Sequence, residues 1–221
     1  MTAQAIAKAK VFIVDDHPFM RRGLAATISD QDDLEICGEA AGKSDAMQLI
    51  AETEPDLVVI DISLEDGNGI ELIKDIKGRW PEMRMLVSSM HEESLFAERA
   101  VRAGAMGFIN KAEPVEQFVE ALRRVASGRI FLSQRMTDRM LNQAIAQNEE
   151  PPASPYERLS DREMEVFEMI GSGLGTKQIA AKLELSRKTV ETYREHIKSK
   201  LNLSNGTELT RHAVQWVLER G

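Results

Sequence analysis

The first half of the chain alternates short apolar runs with longer stretches of helical periodicity. The apolar runs are rich in β-branched residues and predict five strands, at Lys10–Val14, Leu34–Glu39, Asp56–Ile60, Arg84–Ser88 and Gly107–Ile109. The stretches between and after them predict five amphipathic helices, at Phe19–Ile28, Ser44–Ala51, Gly69–Ile76, Leu95–Ala103 and Val115–Ala126. Strands that alternate with helices build a parallel sheet through right-handed crossovers. We therefore expect an α/β domain over residues 9–127, with a doubly wound, five-stranded parallel sheet.

From about Ser160 onwards the pattern contains no strand and predicts four short helices. Ser160 and Glu163 have the spacing of a capping box, so the first helix should begin there and end near Gly171. The other three are predicted at Thr176–Leu183, Arg187–Leu201 and about Thr207–Glu219. The short connection between the second and third of these is typical of a helix-turn-helix. The pattern predicts an all-α, four-helix domain over residues 159–221.

Residues 128–158 are predicted to connect the two domains. Within them, Ser133–Ala146 has apolar residues at roughly helical spacing, which predicts an additional helix. Gln147–Glu157 then contains three prolines among acidic residues, and this composition is typical of an extended linker.

Composition narrows the class of protein. With 43% hydrophobic and 29% charged residues among 221, the chain is typical of a globular protein. Its apolar runs are too short to cross a bilayer, and the first ten residues lack the apolar core of a signal peptide. The single cysteine, Cys37, excludes an internal disulfide and a cysteine-based zinc site. We expect a cytoplasmic protein without a membrane partner.

The charge is distributed unevenly between the two halves. Residues 1–150 carry 17 basic against 26 acidic side chains, a net −9, whereas residues 151–221 carry 11 against 10, a net +1. A domain that binds nucleic acid is often strongly basic. The second half is nearly neutral, so its composition alone does not predict DNA binding.

Polar side chains follow four of the five predicted strands. Asp15 and Asp16 end the first, Asp61 the third, Ser88-Ser89 the fourth and Lys111 the fifth. In an open α/β sheet, ligands bind beyond these carboxyl ends. Clustered carboxylates repel one another unless a cation lies among them, and oxygen ligands suit Mg²⁺ first. A carboxylate beside Mg²⁺ is able to attack phosphorus. The alternative, that each acid is an unrelated cap or turn residue, explains the whole set poorly.

Five segments together resemble the receiver domain of two-component response regulators, over about residues 9–127. They are Val14-Asp15-Asp16-His17-Pro18, Ile60-Asp61-Ile62, Gly67, Ser88-Ser89-Met90-His91-Glu92 and Gly107-Phe108-Ile109-Asn110-Lys111. The resemblance implies that Asp61 accepts the phosphoryl group and that Mg²⁺ is the cofactor. The implied metal ligands are Asp61, Asp16 directly, Asp15 indirectly and the backbone carbonyl of Ser63. Lys111 would pair with the phosphoryl group.

The same resemblance implies a switch pair. Ser89, which immediately precedes Met90, takes the position of the switch hydroxyl, and Ser88 should alternate to the other face of the strand. Phe108 takes the position of the switch aromatic, although ordinary core packing is an equally good explanation. The chain departs from many receivers by having Ala112, not proline, after Lys111, which leaves the geometry of that peptide bond open.

The predicted third helix of the second domain has two distinct sides. Val190, Tyr193, Ile197 and Leu201 form one stripe that should be buried, and the opposite side is polar. Such a helix fits the recognition helix of a helix-turn-helix. An ordinary three-helix domain with a solvated face is the alternative, and the weak positive charge favours it when the residue pattern is taken alone.

A second resemblance favours DNA binding. Leu159-Ser160-Asp161-Arg162-Glu163, Gln178-Ile179-Ala180, Leu185-Ser186 and Lys188-Thr189-Val190-Glu191-Thr192, with Ile197 and Lys200-Leu201, resemble the LuxR-type helix-turn-helix of NarL/FixJ-class regulators. By this resemblance Lys188, Glu191, Thr192 and Glu195 face the major groove. Lys188 would bond guanine or a phosphate, and Glu191 would accept from cytosine N4. The candidate phosphate contacts are Thr176, Lys177, Arg187, Arg194 and Lys198.

Together the two resemblances predict a phosphorylation-gated transcription regulator. Its partners would be a sensor histidine kinase and an inverted repeat in double-stranded DNA, bound by a homodimer formed on activation. Val214 and Leu218 of the last helix are the candidate dimer contacts, unless they only complete the core. A regulator that acts through protein contacts of its second domain is the alternative function. An enzyme is not predicted beyond the receiver's own phosphoryl transfer and dephosphorylation, since the sequence has no Walker loop and its four histidines lack metal spacing.

Overall fold

A computed structural model describes residues 8–64, 66–91, 93–146, 155–183 and 185–219 of the chain. The chain divides into two compact units, Met1–Arg139 and Met140–Gly221. Within the described residues, every helix falls short of the length and apolar character that crossing a membrane requires.

The first unit is built on the parallel sheet that the alternating pattern predicts. In chain order its strands are Ala9–Val14 (β1), Leu34–Ala40 (β2), Leu57–Ile60 (β3), Ser63–Leu64 (β4), Gly67–Asn68 (β5), Arg84–Ser89 (β6) and Gly107–Asn110 (β7). Five of them form one sheet in the order β2-β1-β3-β6-β7, and every pair is parallel. All four residues of β3 are buried, as expected of a central strand covered on both faces.

The sheet is flanked by the predicted helices. These are Pro18–Ser29 (α1), Lys43–Thr53 (α2), Gly69–Arg79 (α3), Glu93–Ala103 (α4) and Val115–Ala126 (α5), followed by Gln134–Ala146 (α6). On one face, Ile28 of α1 and Phe118 of α5 pack with Ile13, Val59 and Leu86 of the sheet. Right-handed crossovers place α2, α3 and α4 on the other face, where α3 contacts both its neighbours.

The pattern did not predict the short antiparallel hairpin formed by β4 and β5. It lies directly after the third main strand, with Ser63 paired to Asn68 and Leu64 to Gly67. Strands of two residues contain no measurable periodicity, so the hydrophobic pattern has no signal for them.

The second unit consists of a short 3-10 helix, Pro155–Arg158, and four α-helices. The α-helices are Asp161–Gly171 (α7), Thr176–Lys182 (α8), Arg187–Leu201 (α9) and Gly206–Leu218 (α10). Ser160 accepts a hydrogen bond from the amide of Glu163, whose side chain bonds back, so the predicted capping box is confirmed. Helices α7 and α10 cross closely at Gly171, where a Cβ would lie 2.3 Å from the carbonyl oxygen of Ala213.

The predicted linker is wrong at its C-terminal end. Pro155–Arg158 is helical, and the ring of Tyr156 lies 5.4 Å from Phe167 and 6.2 Å from Trp216. The prolines suggested an extended chain, but packing of Tyr156 against two buried aromatic rings stabilises the folded turn. The remainder of the predicted proline-rich segment, residues 147–154, lies outside the described residues.

Candidate functional site

The acidic residues after β1 and β3 meet at one edge of the sheet. Val14 is in register with Ile60, and the amide of Asp61 donates to the carbonyl of Val14 at 2.8 Å. The segments that follow β1 and β3 therefore leave the sheet side by side. Asp15 is 1% and Asp61 4% exposed, while Asp16 is partly exposed.

Lys111 follows β7 and reaches across to these carboxylates. Its Nζ lies 2.7 Å from an oxygen of Asp15 and 2.7 Å from an oxygen of Asp61. Burial alone would lower the pKa of the Lys111 ammonium, but the two carboxylates raise it above its usual value. Lys111 therefore remains charged at neutral pH. The described residues contain no cis peptide bond, so the bond from Lys111 to Ala112 is trans.

The charge of this edge is not balanced by Lys111. One oxygen each of Asp15, Asp16 and Asp61, together with a ring nitrogen of His17, lie within 4.8 Å of one another. Burial, opposed by Lys111 and helped by repulsion from Asp15, raises the pKa of the Asp61 carboxyl. Three carboxylates against one ammonium leave a net negative pocket with oxygen ligands, and this donor set fits a hard divalent cation such as Mg²⁺.

The segment after Asp61 is held close to it. The backbone amide of Ser63 hydrogen-bonds to the Asp61 carboxylate, and the amide of Gly69 donates to the carbonyl of Ile62 at 2.8 Å. A Cβ on Gly69 would lie 2.1 Å from the Asp61 carbonyl oxygen, so this position requires glycine. The segment thus returns to the sheet edge and places Ser63 beside the candidate phosphoacceptor.

Asp66 anchors the same segment on its other side. Its carboxylate accepts hydrogen bonds from the amides of Lys43 and Ser44, at 2.7 and 3.1 Å, in the first turn of α2. Although burial opposes it, these bonds hold the pKa of Asp66 below its usual value. Sequence reasoning missed this residue, because a cap supplied from 23 positions away has no local spacing.

The two serines at the end of β6 face opposite sides of the sheet. Ser88 lines a cavity of about 220 Å³ with Met20 of α1 and Phe118 of α5. Ser89 is fully buried, and its Oγ accepts from the amide of His91 at 3.2 Å. The predicted alternation of the two hydroxyls agrees with this placement.

Phe108 lies beside Ser89 on the neighbouring strand. The register of β6 and β7 pairs Val87 with Phe108, which places the ring on the side of the sheet where Ser89 lies. The ring is 1% exposed. Its position therefore satisfies both the predicted switch role and the alternative of core packing.

His91 lies at the rim of the acidic edge, shortly after β6. A ring nitrogen lies 2.8 Å from the Ser63 hydroxyl, and the ring packs on Phe96 at 4.5 Å. The Asn110 amide donates to the carbonyl of His91 at 3.2 Å. These contacts connect the ends of β6 and β7 to the segment after Asp61.

In the second unit, α9 has the predicted two sides. Val190 and Ile197 are fully buried, and Tyr193 and Leu201 are half-buried. The opposite side is exposed over Lys188, Glu191, Thr192, Glu195 and Ser199. Ser186 caps the helix by accepting from the amide of Thr189 at 3.0 Å. The helix thus presents the candidate base-contacting residues on one continuous surface.

Several candidate phosphate contacts are paired with these acids. Arg194 lies 3.7 Å from Glu191, Lys198 lies 2.9 Å from Glu195, and Thr176 donates to Glu191 at 2.7 Å. Arg187 and Lys177 are exposed. The two glutamates therefore offset two of the five basic side chains of this surface, which are Lys177, Arg187, Lys188, Arg194 and Lys198.

The last helix contributes both to the core and to the surface. Leu209, Ala213 and Trp216 are buried. Val214 is half-buried and Leu218 is 75% exposed. The candidate dimer contacts therefore leave a partly apolar surface on α10.

Two family models match the chain in succession. Residues 11–123 match the response regulator receiver domain, and residues 157–213 match bacterial regulatory proteins of the luxR family. Curated relatives include the oxygen regulatory protein NreC of Staphylococcus epidermidis, 33% identical over 211 residues, which are 93% of this chain and 97% of the relative. NreC of Staphylococcus carnosus is also 33% identical, over 210 residues, with the same coverage.

Solved structures agree with this architecture. A LuxR-family two-component response regulator from Aurantimonas sp. SI85-9A1 is 32% identical, with a TM-score of 0.58 over 63% of this chain and 99% of that one. RcsB of Salmonella typhimurium has a TM-score of 0.73 over 95% of this chain and 98% of its own, at 23% identity, which supports the fold alone. RcsB has also been solved bound to the rprA promoter with the phosphomimetic BeF3⁻.

Proposed function

Because the chain belongs to the two-component response regulators that join a receiver domain to a LuxR-type DNA-binding domain, we propose that phosphorylation of Asp61 controls its binding to DNA. The donor would be a cognate sensor histidine kinase, and the relay would operate in the cytoplasm, where the DNA lies. The observation that carries the proposal is the buried Asp61 carboxylate, which shares the Lys111 ammonium with Asp15 at an edge that fits a divalent cation.

Each group at this edge has a task in the transfer. A carboxylate oxygen of Asp61 bonds to phosphorus while the P–N bond to the kinase's phosphohistidine breaks and its electron pair returns to the ring nitrogen. Lys111 already bonds Asp61, so it is placed to neutralise a phosphoryl oxygen without a large movement. Asp16, Asp61 and the Ser63 carbonyl would hold Mg²⁺, with Asp15 acting on the ion indirectly. Bound there, Mg²⁺ supplies positive charge to the transferring group.

The phosphorylated state would be transmitted through Ser89 and Phe108. A phosphoryl group on Asp61 attracts the Ser89 hydroxyl, which in the present arrangement is bonded to the amide of His91. Its movement leaves space beside the strand that the ring of Phe108 can enter. Ser89 and Phe108 would thus undergo a local packing change that the charge on Asp61 favours.

The direct test is phosphorylation by acetyl phosphate with Mg²⁺. The wild type should gain one acid-labile phosphate by intact mass, and Asp61→Asn should gain none. Asp56→Asn is a matched control, because Asp56 stands at the opposite end of β3 and is exposed. Full phosphorylation of Asp61→Asn would refute the assignment. Ser89→Ala should still be phosphorylated but should bind DNA no better than the unmodified protein.

We also propose that activated protein pairs through α10 on an inverted repeat. Leu218 is 75% exposed, and Val214 beside it is half-buried, so pairing would remove apolar surface from water. Two recognition helices related by a two-fold axis would contact half-sites about one helical turn apart. A single small domain buries too little surface for tight, specific binding, so pairing should dominate the affinity.

Sedimentation with and without acetyl phosphate tests this pairing. Phosphorylated wild type should sediment as a dimer and bind an inverted repeat, whereas Val214→Glu and Leu218→Glu should stay monomeric and bind weakly. Gln215→Glu places the same charge on an exposed position of α10 between them and serves as the control. Folded Leu218→Glu dimers on DNA would exclude this surface.

A further inference from the structure

Glu191 differs from the other acid on the outward side of α9. Its Oε1 accepts a hydrogen bond of 2.7 Å from the Thr176 hydroxyl, which belongs to α8. Its Oε2 lies 3.7 Å from Nε of Arg194. Glu195, by contrast, has its described contact within its own helix, with Lys198 at 2.9 Å. Glu191 is therefore positioned from two elements at once.

The contacts fix the carboxylate but do not cover it. Glu191 keeps 55% of its side chain exposed, whereas Arg194 keeps only 18%. An ionised carboxylate has about four acceptor sites, and the Thr176 bond occupies one of them. The exposed sites are held in a single orientation before DNA arrives, which reduces the ordering cost of a contact there.

A fixed carboxylate on the groove side discriminates between bases. It accepts from the exocyclic amine of cytosine, whereas guanine and thymine present acceptor atoms that repel it. Adenine offers an amine next to an acceptor nitrogen, a pattern that suits an amide side chain better. The chemistry therefore favours cytosine opposite this position.

The arrangement also changes the role of Thr176. A hydroxyl has one proton, and Thr176 donates it to Glu191. It cannot donate the same proton to a phosphate oxygen. A role in orienting Glu191 thus competes with the phosphate contact that the sequence pattern suggested.

We propose that Thr176 and Arg194 are positioning residues for Glu191, and that the three together select a C·G base pair at one position of each half-site. The proposal rests on the proposed function, since it requires that α9 enters the major groove. Thr176 then determines sequence preference without contacting a base.

The experiment begins with selection of bound sequences from random double-stranded DNA by the full chain treated with acetyl phosphate. Wild type should select cytosine at one position per half-site, and Glu191→Gln should change the selected base at that position to adenine. Titration of the selected site and its three single-pair variants then gives the discrimination. We expect Glu191→Gln to lower the preference for C·G about tenfold, the usual size of one mismatched pair.

Thr176 is tested in the same titrations. Thr176→Val should lose several-fold discrimination at that one pair, and Thr176→Ser should retain it. The double variant Thr176→Val with Glu191→Gln should discriminate no less than Glu191→Gln alone, because the two residues act as a unit. Thr210→Val is the matched control, since that hydroxyl bonds its own helix at the Gly206 carbonyl.

The outcomes distinguish a failure of this inference from a failure of the proposed function. If Thr176→Val weakens binding to every sequence equally and leaves the base preference intact, Thr176 is a phosphate contact and the inference is wrong. An unchanged preference for cytosine in Glu191→Gln overturns it as well. If the wild type selects no sequence at all, the proposed function fails, and the inference fails with it.

Discussion

At the carboxyl edge of the receiver sheet, Asp15, Asp61 and the side chain of Lys111 are each less than 5% exposed. On the outward side of α9, Glu191 and Glu195 keep 55% and 67% of their side chains exposed. Both regions are clusters of charge at the end or on the side of a regular element. They differ in solvent access and in charge balance. The receiver cluster has excess negative charge, whereas each of the two α9 ion pairs is neutral.

The difference shows that the buried receiver carboxylates need a bound cation to be stable, whereas the exposed α9 side chains are stable without a ligand. Buried carboxylates in excess of cations raise the free energy of the folded state, and a bound cation relieves that cost. Exposed pairs such as Glu195 with Lys198 cost little and contribute little to folding, so they are free to exchange partners when DNA arrives. The receiver site should therefore respond steeply to Mg²⁺, and the α9 surface to salt and to base sequence.

The largest expected effect concerns the unbalanced edge. Asp16→Ala should lower the rate of phosphorylation by acetyl phosphate by about 100-fold or more, because it removes a direct ligand of the proposed cation. In the wild type, Mg²⁺ at one hundred times its Kd should stabilise the receiver by about 2.7 kcal/mol, and Asp16→Ala should lose most of this. Rates by intact mass and urea unfolding with and without Mg²⁺ measure both effects. Equal phosphorylation in excess chelator would break the comparison.

Alanine substitutions at two glycines of α3 should have opposite effects on stability, because only one of the glycines lies against the segment after Asp61. Gly69→Ala brings a Cβ to 2.1 Å from the Asp61 carbonyl oxygen and should cost about 1–3 kcal/mol or more of unfolding free energy. Gly78→Ala lies in the same helix with nothing within 4 Å, and it should stabilise by about 0.5–1 kcal/mol.

Urea unfolding followed by Trp80 fluorescence, in a Trp216→Phe background, measures this pair of changes. Equal stability of the two alanine variants would show that the close approach at Gly69 does not constrain the edge.

An ion pair between buried Glu163 and exposed Lys200 in the C-terminal domain gives an intermediate effect. Glu163 is 3% exposed and bonds Lys200 at 2.6 Å, and although burial opposes it, this pairing and the Ser160 contacts hold the pKa of Glu163 below its usual value. Glu163→Gln keeps the capping geometry but loses the ion pair, which should cost about 1–2 kcal/mol at pH 7.

The sign of the pH dependence follows from the lowered pKa. Ionised Glu163 stabilises the domain above its unfolded pKa of about 4.3, and this contribution disappears as the pH falls through the lower folded value. The gap between wild type and Glu163→Gln should therefore close in acid, as measured by Trp216 fluorescence. Glu208→Gln, which also caps a helix through the Ser204 amide, should change stability less. A gap that stays constant with pH would contradict the ion-pair explanation.

The smallest effect on folding is expected at an exposed pair. Glu195→Gln breaks the contact with Lys198 and should change the unfolding free energy by less than about 0.5 kcal/mol. It should nevertheless strengthen binding to DNA of any sequence, because one negative charge is removed from the groove side. Titrations at several salt concentrations test this. A loss of unfolding free energy above about 1 kcal/mol would show that this exposed pair contributes to stability as a buried pair does.

The sequence predicts the receiver edge far better than the α9 surface. Asp15, Asp61 and Lys111 follow strands of one parallel sheet, and parallel strands bring their carboxyl ends to the same edge whatever the intervening helices are. The contact between Thr176 and Glu191 depends on the angle at which α8 meets α9. No spacing along the chain encodes that angle, so each residue was predicted for the surface but not their bond.

Tyr156 has a practical consequence for isolating the DNA-binding domain. Its ring is one side of an aromatic cluster with Phe167 and Trp216, although it precedes the first α-helix of the unit. A fragment that starts at Leu159 would contain every helix-turn-helix residue yet leave the other two rings uncovered on one side. A fragment that starts at Pro155 would keep the cluster intact. Of the two fragments, we expect this one to remain monodisperse in solution.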